Sequence, residues 1–389
     1  MTTLLISAGD ASGDLHAADF VRAFRRAHPD TRFVGMGGDA MESAGVELVV
    51  HQRELAVGGL FEIASSLPRI VAVWRKLNRA LVEAKPNLAV LVDSGGIHIP
   101  FAKRIRRQSG AKILYFIAPQ VWAWRPGRIA KLAARIDRMA LIFPFEPKVY
   151  SETSLPVDFV GHPLAEPLSA LAASTSLEDA RAAVGCRVDE SDAKVVALFP
   201  GSRRNEIEHH LPVQLAACAT LHRQIGNVDF VLAGAPSVDR GLIEQTIARA
   251  GLPEALSLKV VYGKSREAML ACDVAIAKPG TVTVELALLE RPMVVIGKVN
   301  RATALILRRN VLVPYYAMPN IILEREVVPE LLQEDAKPDD IAKAVAALFS
   351  GPMRDRQLKD LLQVKNALSK TGAASRTSEI AQEMLAGDS

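Results

Sequence analysis

A lone carboxylate, Asp93, closes the apolar run Leu88–Val92. A run of that kind reads as a buried parallel strand, and the carboxyl ends of such strands are where open α/β sheets present their functional groups. An aspartate there could take a proton from a substrate hydroxyl within hydrogen-bond reach. It could equally cap the next helix or satisfy the loop Ser94-Gly95-Gly96. His98 follows on the same loop and could assist the aspartate or serve the loop. A second constellation lies in Val195–Pro212: a buried strand, the turn Pro200-Gly201-Ser202, then a helix start carrying Arg203, Arg204 and Glu206. Backbone N–H groups at such a start point outward and attract anions, phosphate above all. The plainer reading is a β-turn-α connection with surface arginines and a Glu that suits the helix dipole. The stretch Ala277–Val295 repeats the form, with Gly280 and Thr281 at the turn and Glu285 one helical turn on. A carboxylate at Glu285 could accept from both hydroxyls of a ribose, or merely favour the helix start. The first strand exits through Gly9–Asp14. This is not the GxGxxG pattern, and no acid follows a second strand at ribose distance, so a dinucleotide site is not expected. Gly9 and Gly13 would let backbone approach a ligand closely, and Ser12 and Asp14 would contact it or cap the helix.

These residues need strands to end beside them, and the chain supplies strands in two series. Thr3–Ser7, Arg32–Gly35, Leu88–Val92, Lys112–Ile117 and Met139–Phe143 alternate with helical patterns such as Leu15–Ala27. After a Pro-rich stretch from Asp158 to about residue 175, the alternation resumes with Val195–Phe199, Asp229–Ala233, Leu258–Val261, Val274–Ala277 and Pro292–Ile296. Strands alternating with helices imply parallel sheets covered on both faces. The expected organisation is α/β: two Rossmann-like domains, 1–170 and 171–345, facing across a cleft, with a helical tail over 346–389.

Bulk properties narrow the partners. At 389 residues, 49% hydrophobic and 23% charged, the chain is long enough for two globular cores. Net charge is only +4, but residues 101–140 hold ten Lys or Arg against one acid, Asp137. Such a block favours an anionic partner or is simply a solvated face; no nucleic-acid module accompanies it. Three scattered cysteines form neither a disulfide framework nor a metal motif, which fits a reducing cytoplasm. A strand-like run begins at once without a basic leader, so no secretory signal is expected, and no apolar window is long enough to span a bilayer. Membrane contact would be peripheral. Leu60, Phe61, Ile63, Leu67, Ile70 and Trp74 lie at helical spacing beside basic residues. They would rest on an anionic lipid surface, or face the core.

Several runs together resemble lipid-A-disaccharide synthases: ELAVGGLFEI (54–63), APQVWAWRPGRI (118–129), FPFE (143–146), FVGHPL (159–164), PGSRRNEI (200–207) and MPNIILEREVVPELLQ (318–333). The resemblance implies the GT-B glycosyltransferase architecture and a single inverting displacement. The donor would be UDP-2,3-diacylglucosamine and the acceptor 2,3-diacylglucosamine 1-phosphate (lipid X). It makes Asp93 the general base and Arg203 the arginine that stabilises the leaving diphosphate. It places Gln120, Trp122, Arg125, Glu285, Asn320 and Arg325 among the substrate contacts and turns Leu60–Leu77 toward the membrane. No DxD-like pair is evident, so neither metal nor other cofactor is expected. The pattern departs from the family at four points. Ser94-Gly95-Gly96-Ile97-His98 follows the base where a Pro-Asp-Phe-Asn is usual, so a second carboxylate is missing and His98 stands for the Asn; Lys278-Pro279 precede Gly280 where a Ser is usual, and Gly58-Gly59 replaces Met-Gly. Two alternatives stay open: another GT-B enzyme acting on UDP-N-acetylglucosamine, or a non-catalytic binding relative.

Overall fold

Runs of consecutive apolar residues become fully buried parallel strands, as expected when helices cover both faces of a sheet. In the computed structural model, which describes residues 2–55, 62–124, 126–187, 193–300, 303–304, 311–370 and 372–387, these strands form two sheets. Two units result, Met1–Pro163 with Lys370–Ser389, and Leu164–Ser369.

The first sheet contains β1 (Thr3–Ala8), β2 (Arg32–Gly37), β3 (Glu47–His51), β4 (Leu88–Val92), β5 (Lys112–Phe116), β6 (Arg138–Leu141) and β7 (Val157–Phe159). Their spatial order is β3-β2-β1-β4-β5-β6-β7, with every pairing parallel. The second contains β8 (Lys194–Phe199), β9 (Val228–Gly234), β10 (Ser257–Tyr262), β11 (Val274–Ala277), β12 (Met293–Gly297) and β13 (Glu330–Leu332). Their order is β10-β9-β8-β11-β12-β13, again parallel throughout. In each sheet the order reverses at one place, between β1 and β4 and between β8 and β11. At such a switch point the two flanking connections leave toward opposite faces and open a crevice at the strands' carboxyl ends. Ala8 is in register with Val92, and Phe199 with Ala277. Gly9 and Asp93 therefore flank one crevice, and Pro200 and Lys278 flank the other.

Each unit has its own core. Leu5, Leu91, Phe101, Ile113 and Tyr115 belong to the first and Val196, Leu198, Phe230, Ile276 and Val294 to the second. Short strands β3, β7 and β13 carry too little apolar alternation to be read from sequence. The helix expected from Leu15 starts at Ala11, because Asp10 caps it by accepting from the Gly13 N–H at 2.8 Å.

The expected divisions at 170 and 345 differ from the observed units. The Pro-rich stretch between the two strand series holds the end of β7 and then the helix Ala165–Ser174, which belongs to the second unit. The tail is no separate piece. Helix Pro352–Leu368 stays with the second unit, burying Leu361 and Val364, while Ala373–Ala386 returns to the first. The returning helix buries Ile380 and Ala381. It is fastened by Arg138, whose guanidinium donates to Asp158 on β7 at 2.7 and 3.1 Å and to Glu383 at 2.6 Å. Lys112 Nζ also donates to the Met384 carbonyl at 2.9 Å. The amphipathic pattern of this helix gave no sign of which core it would join.

Ile380→Ala is expected to destabilise the first unit by about 2–5 kcal/mol, the usual cost of a large-to-small change at a buried site. All three tryptophans lie in that unit, so urea unfolding followed by tryptophan fluorescence reads it selectively. An unshifted midpoint would mean that the returning helix adds nothing to the unit.

Candidate active site

The backbone at the end of β4 is the least comfortable in the first unit. Asp93 and Ser94 are consecutive non-glycine residues in the left-handed region, with φ of 51° and 45°. Each such residue costs about 1–3 kcal/mol and persists only where its surroundings over-determine it. Here they do. The Asp93 N–H donates to the Phe116 carbonyl at 3.0 Å. The Asp93 carbonyl accepts from the Tyr115 hydroxyl at 2.5 Å and from His98 Nδ1 at 2.8 Å. Because that carbonyl can only accept, His98 carries its proton on Nδ1, and Nε2 accepts from the Ser7 hydroxyl at 2.9 Å. Burial lowers the His98 pKa to about 4, so the ring stays neutral. His98 is fully buried with both nitrogens engaged. It braces the turn and is not the substrate contact expected of it.

The Asp93 carboxylate is half-buried. Its Oδ1 accepts from the Ser94 N–H at 2.7 Å, and among the described residues no donor engages Oδ2. Burial raises the carboxyl to about 6. The negative charge of Asp10 adds to the rise, and the Ser94 N–H opposes it. Asp10 is the residue that sequence reasoning passed over, because it read as part of a glycine-rich loop. Its Oδ1 caps the helix, while Oδ2 accepts from the Ser94 hydroxyl at 2.9 Å and ties the two switch-point turns together.

The rest of that loop is committed to the fold. A side chain on Gly9 would stand 2.6 Å from Ser94 Oγ, so the glycine admits the neighbouring turn rather than a ligand. Gly13 is buried in the first helical turn. Asp14 is buried and accepts from the N–H groups of Gly38, Ala40 and Met41 at 2.7, 3.1 and 3.1 Å, starting the helix Asp39–Ser43. Ser12 is exposed, its hydroxyl 3.4 Å from His16 Nε2. Gln120 is exposed after β5. Trp122 is not a surface contact: its indole N–H donates to buried Glu146 at 3.3 Å and its ring meets Phe145 edge-on at 4.8 Å. Two of the runs that carried the resemblance thus hold each other. Arg125, Leu60 and Phe61 lie outside the described residues, as do the side chains of Ile63 and Leu67. Further along helix Glu62–Ala84, Val73, Leu77 and Leu81 face the core. Trp74 is half-buried, edge-on to Phe101 at 5.9 Å and under the Arg104 guanidinium at 5.2 Å. Ile70 is half-buried, and Val71 is 44% exposed.

The second switch point is built on charge. Glu206, in the first turn of helix Arg204–Ile225, folds back over the turn expected to hold phosphate. Its Oε2 accepts from the Ser202 N–H at 2.9 Å and the Arg203 N–H at 3.3 Å. Gly201, at φ 124°, is required because any side chain there would collide with that carboxylate. Oε1 accepts from Lys278 Nζ at 2.9 Å. Burial works against the charge of Glu206, but Lys278 and the backbone N–H donors outweigh it and hold the pKa below its usual value. Arg203 projects outward, 81% exposed and 3.8 Å from Glu206. Opposite, helix Thr281–Leu288 begins after Gly280 at φ 142°, and no side chain among the described residues caps it. Glu285 lies 3.8 Å from Arg266; burial raises its pKa and Arg266 resists. Gly201, Ser202, Lys278, Thr281 and Glu285 line one cavity of about 270 Å³.

Two residues expected at this site are elsewhere. Asn320 is completely buried. Its amide donates to the Val328 carbonyl and Glu330 at 2.9 and 2.8 Å and accepts from the Val327 and Val328 N–H groups at 2.8 and 2.9 Å. All its capacity is used, leaving nothing for a nucleotide. Arg325 makes a forked pair with Asp360 at 2.7 and 2.9 Å, anchoring helix Pro352–Leu368. Among the described residues no three His, Cys, Asp or Glu side chains are grouped as a metal ion would require.

The family model described as lipid-A-disaccharide synthetase matches residues 4–384. The lipid-A-disaccharide synthase of Geobacter sulfurreducens is 38% identical over 383 residues, covering 98% of this chain and 97% of its own. That of Syntrophus aciditrophicus is 37% identical with the same coverage. The chain belongs to the lipid-A-disaccharide synthase family. It is accordingly a hexosyltransferase of lipid A biosynthesis. The fold agrees with the GT-B class. UDP-GlcNAc 2-epimerase from Neisseria meningitidis, solved bound to UDP-GlcNAc, superposes with a TM-score of 0.67 at 11% identity, covering 100% of both chains. The calicheamicin glycosyltransferase CalG4 does so at 0.63 and 15%, covering 100% of this chain and 99% of its own.

Because burial, with the negative charge of Asp10 adding to it, raises the Asp93 carboxyl to about 6, kcat/KM should rise with pH through an acid limb near that value and then level. Asp10→Asn removes the neighbouring negative charge and should move the limb to lower pH. A limb that stays in place in the pH–rate profile of the variant would show that Asp10 does not act on the base.

Proposed function

We propose that this synthase transfers 2,3-diacylglucosamine from UDP-2,3-diacylglucosamine to the 6-hydroxyl of 2,3-diacylglucosamine 1-phosphate, with inversion. Asp93 takes the hydroxyl proton as that oxygen attacks the anomeric carbon. The bond from the anomeric carbon to the diphosphate breaks, its electron pair leaves with UDP, and a β-1,6-linked disaccharide 1-phosphate remains. Inversion requires attack on the face opposite the leaving group. The observation that carries the reading is the Asp93 carboxyl itself: pinned in orientation, one oxygen without a donor among the described residues, and more basic than an ordinary aspartate. A base poised near the working pH accepts a proton most effectively while staying ionised.

The donor is assigned to the cavity of the second unit. Exposed Arg203 and the first N–H groups of helix Thr281–Leu288 would offset the charge gathering on the departing diphosphate. Glu285, lining the same cavity, would take the ribose hydroxyls. These cationic and N–H groups supply the positive charge, so the mechanism calls for no metal. The names of the relatives and the UDP-GlcNAc bound by a structural neighbour support the substrate classes.

Among the described residues no helix is long and apolar enough to cross a membrane. Acylated substrates nonetheless reside in one, and we assign the enzyme to the periphery of the cytoplasmic membrane, on its inner face. Support comes from helix Glu62–Ala84, where exposed Val71 stands beside exposed Arg75. An apolar surface with a basic margin suits anionic headgroups.

Two assays test the reading. Asp93→Asn should lower kcat roughly 10²–10⁴-fold while UDP binding, measured by calorimetry, is retained. The wild-type enzyme should turn over the acylated donor. Turnover of UDP-N-acetylglucosamine alone would instead make it another type of GT-B enzyme, and full activity in the variant would relocate the base.

A further inference from the structure

The two helix starts that flank the second switch point are not equivalent. The start at Arg204 is already filled, because Glu206 occupies the Ser202 and Arg203 N–H groups that an anion would use. The start at Thr281 has no side-chain cap among the described residues. Lys278 stands between them at the end of β11. Its ammonium is 2.9 Å from Glu206 Oε1 and would lie 3.4 Å from a side chain built on Gly280. Its side chain is 25% exposed, and it lines the same cavity as Thr281 and Glu285. Glu206 thus does two jobs: it satisfies one helix start and holds a cation toward the other.

We propose that Lys278 is a donor-binding residue that places its ammonium against the diphosphate beside the Gly280–Thr281 turn, with Glu206 as the residue that positions it. This rests on the donor reading above and sharpens it, since it adds the Lys278 ammonium to the Thr281 helix start as a partner of the diphosphate and leaves the Gly201-Ser202 turn to Glu206. Gly280 leaves room for a phosphate oxygen next to the ammonium. Pro279 gives up one N–H donor, and the lysine supplies a full charge in its place. An ammonium in a partly desolvated cavity is a strong partner for a diphosphate.

The test is isothermal titration of the intact enzyme with UDP and with uridine, which shares the base and ribose but lacks the phosphates. Lys278→Met is expected to weaken UDP at least tenfold, leave uridine within twofold, and flatten the salt dependence of UDP binding. Lys278→Arg should restore most of the affinity, which a merely structural lysine would not require. If the methionine variant does not fold, Lys278→Gln, with the same expected pattern, takes its place. Wild-type enzyme that binds UDP while the variant binds it equally would overturn this inference alone. Wild-type enzyme that does not bind UDP would overturn the donor reading and this inference with it. Equal loss of UDP and uridine would show that Lys278 shapes the cavity without meeting the phosphates.

Discussion

The main-chain carbonyl of Asp93 takes two hydrogen bonds, from the Tyr115 hydroxyl and from His98 Nδ1, and the first active-site turn depends on them. They hold two successive residues in a left-handed conformation that an unsupported chain would leave, each at a cost of about 1–3 kcal/mol. The brace reaches inward. His98 is fixed in one tautomer because its other nitrogen meets the Ser7 hydroxyl on β1. Tyr115, on β5 and fully buried, keeps its proton because burial raises its pKa well above the usual value. Three neighbouring strands therefore converge on one peptide, and it carries the carboxylate whose Oδ2 meets no donor among the described residues. Strain concentrated at a functional residue is a common way of orienting it.

Each unit repeats the same construction, a reversal of strand order with one turn on either side, but with a different electrostatic content. The first crevice brings together two carboxylates, Asp10 and Asp93, bridged through the Ser94 hydroxyl and N–H. Crowded negative charge and burial make a base. The second alternates signs: Glu206 with Lys278, Glu285 near Arg266, and exposed Arg203 3.8 Å from Glu206. Balanced charge in a small cavity suits a ligand that brings its own negative charge. In the proposed reaction the base and the leaving-group site belong to different units.

The sheets were legible in the sequence because buried parallel strands are unbroken apolar runs; Leu88–Val92 and Val274–Ala277 are found with the bounds the pattern gave. Their carboxyl ends located both crevices for the same reason. Sequence could not tell which polar residues at those ends face outward. Asp14, His98, Trp122 and Asn320 are as polar as any ligand contact, yet each spends its hydrogen-bonding capacity on backbone or side chains beyond its own turn of chain. Asn320 meets Glu330, Trp122 meets Glu146, and His98 meets Ser7, ninety-one positions away. Partners that distant leave no local signature. Glu206 was read as a dipole-matching residue when it is the anion the turn already holds. The tail misled for a similar cause: its last helix is assigned by Arg138 and Lys112, which belong to strands of the opposite end of the chain.

The brace on the Asp93 turn is tested most directly by Tyr115→Phe, which deletes one hydroxyl from a buried ring and changes no charge. Steady-state turnover of the acylated substrates and calorimetric UDP affinity should be measured on the same preparation. Loosening of the turn should lower kcat by about tenfold or more, since small misplacements of a reacting group are costly, while UDP affinity, a property of the other unit, stays within twofold. Wild-type kcat in this variant would contradict the account, because the base would then not depend on the carbonyl that orients it.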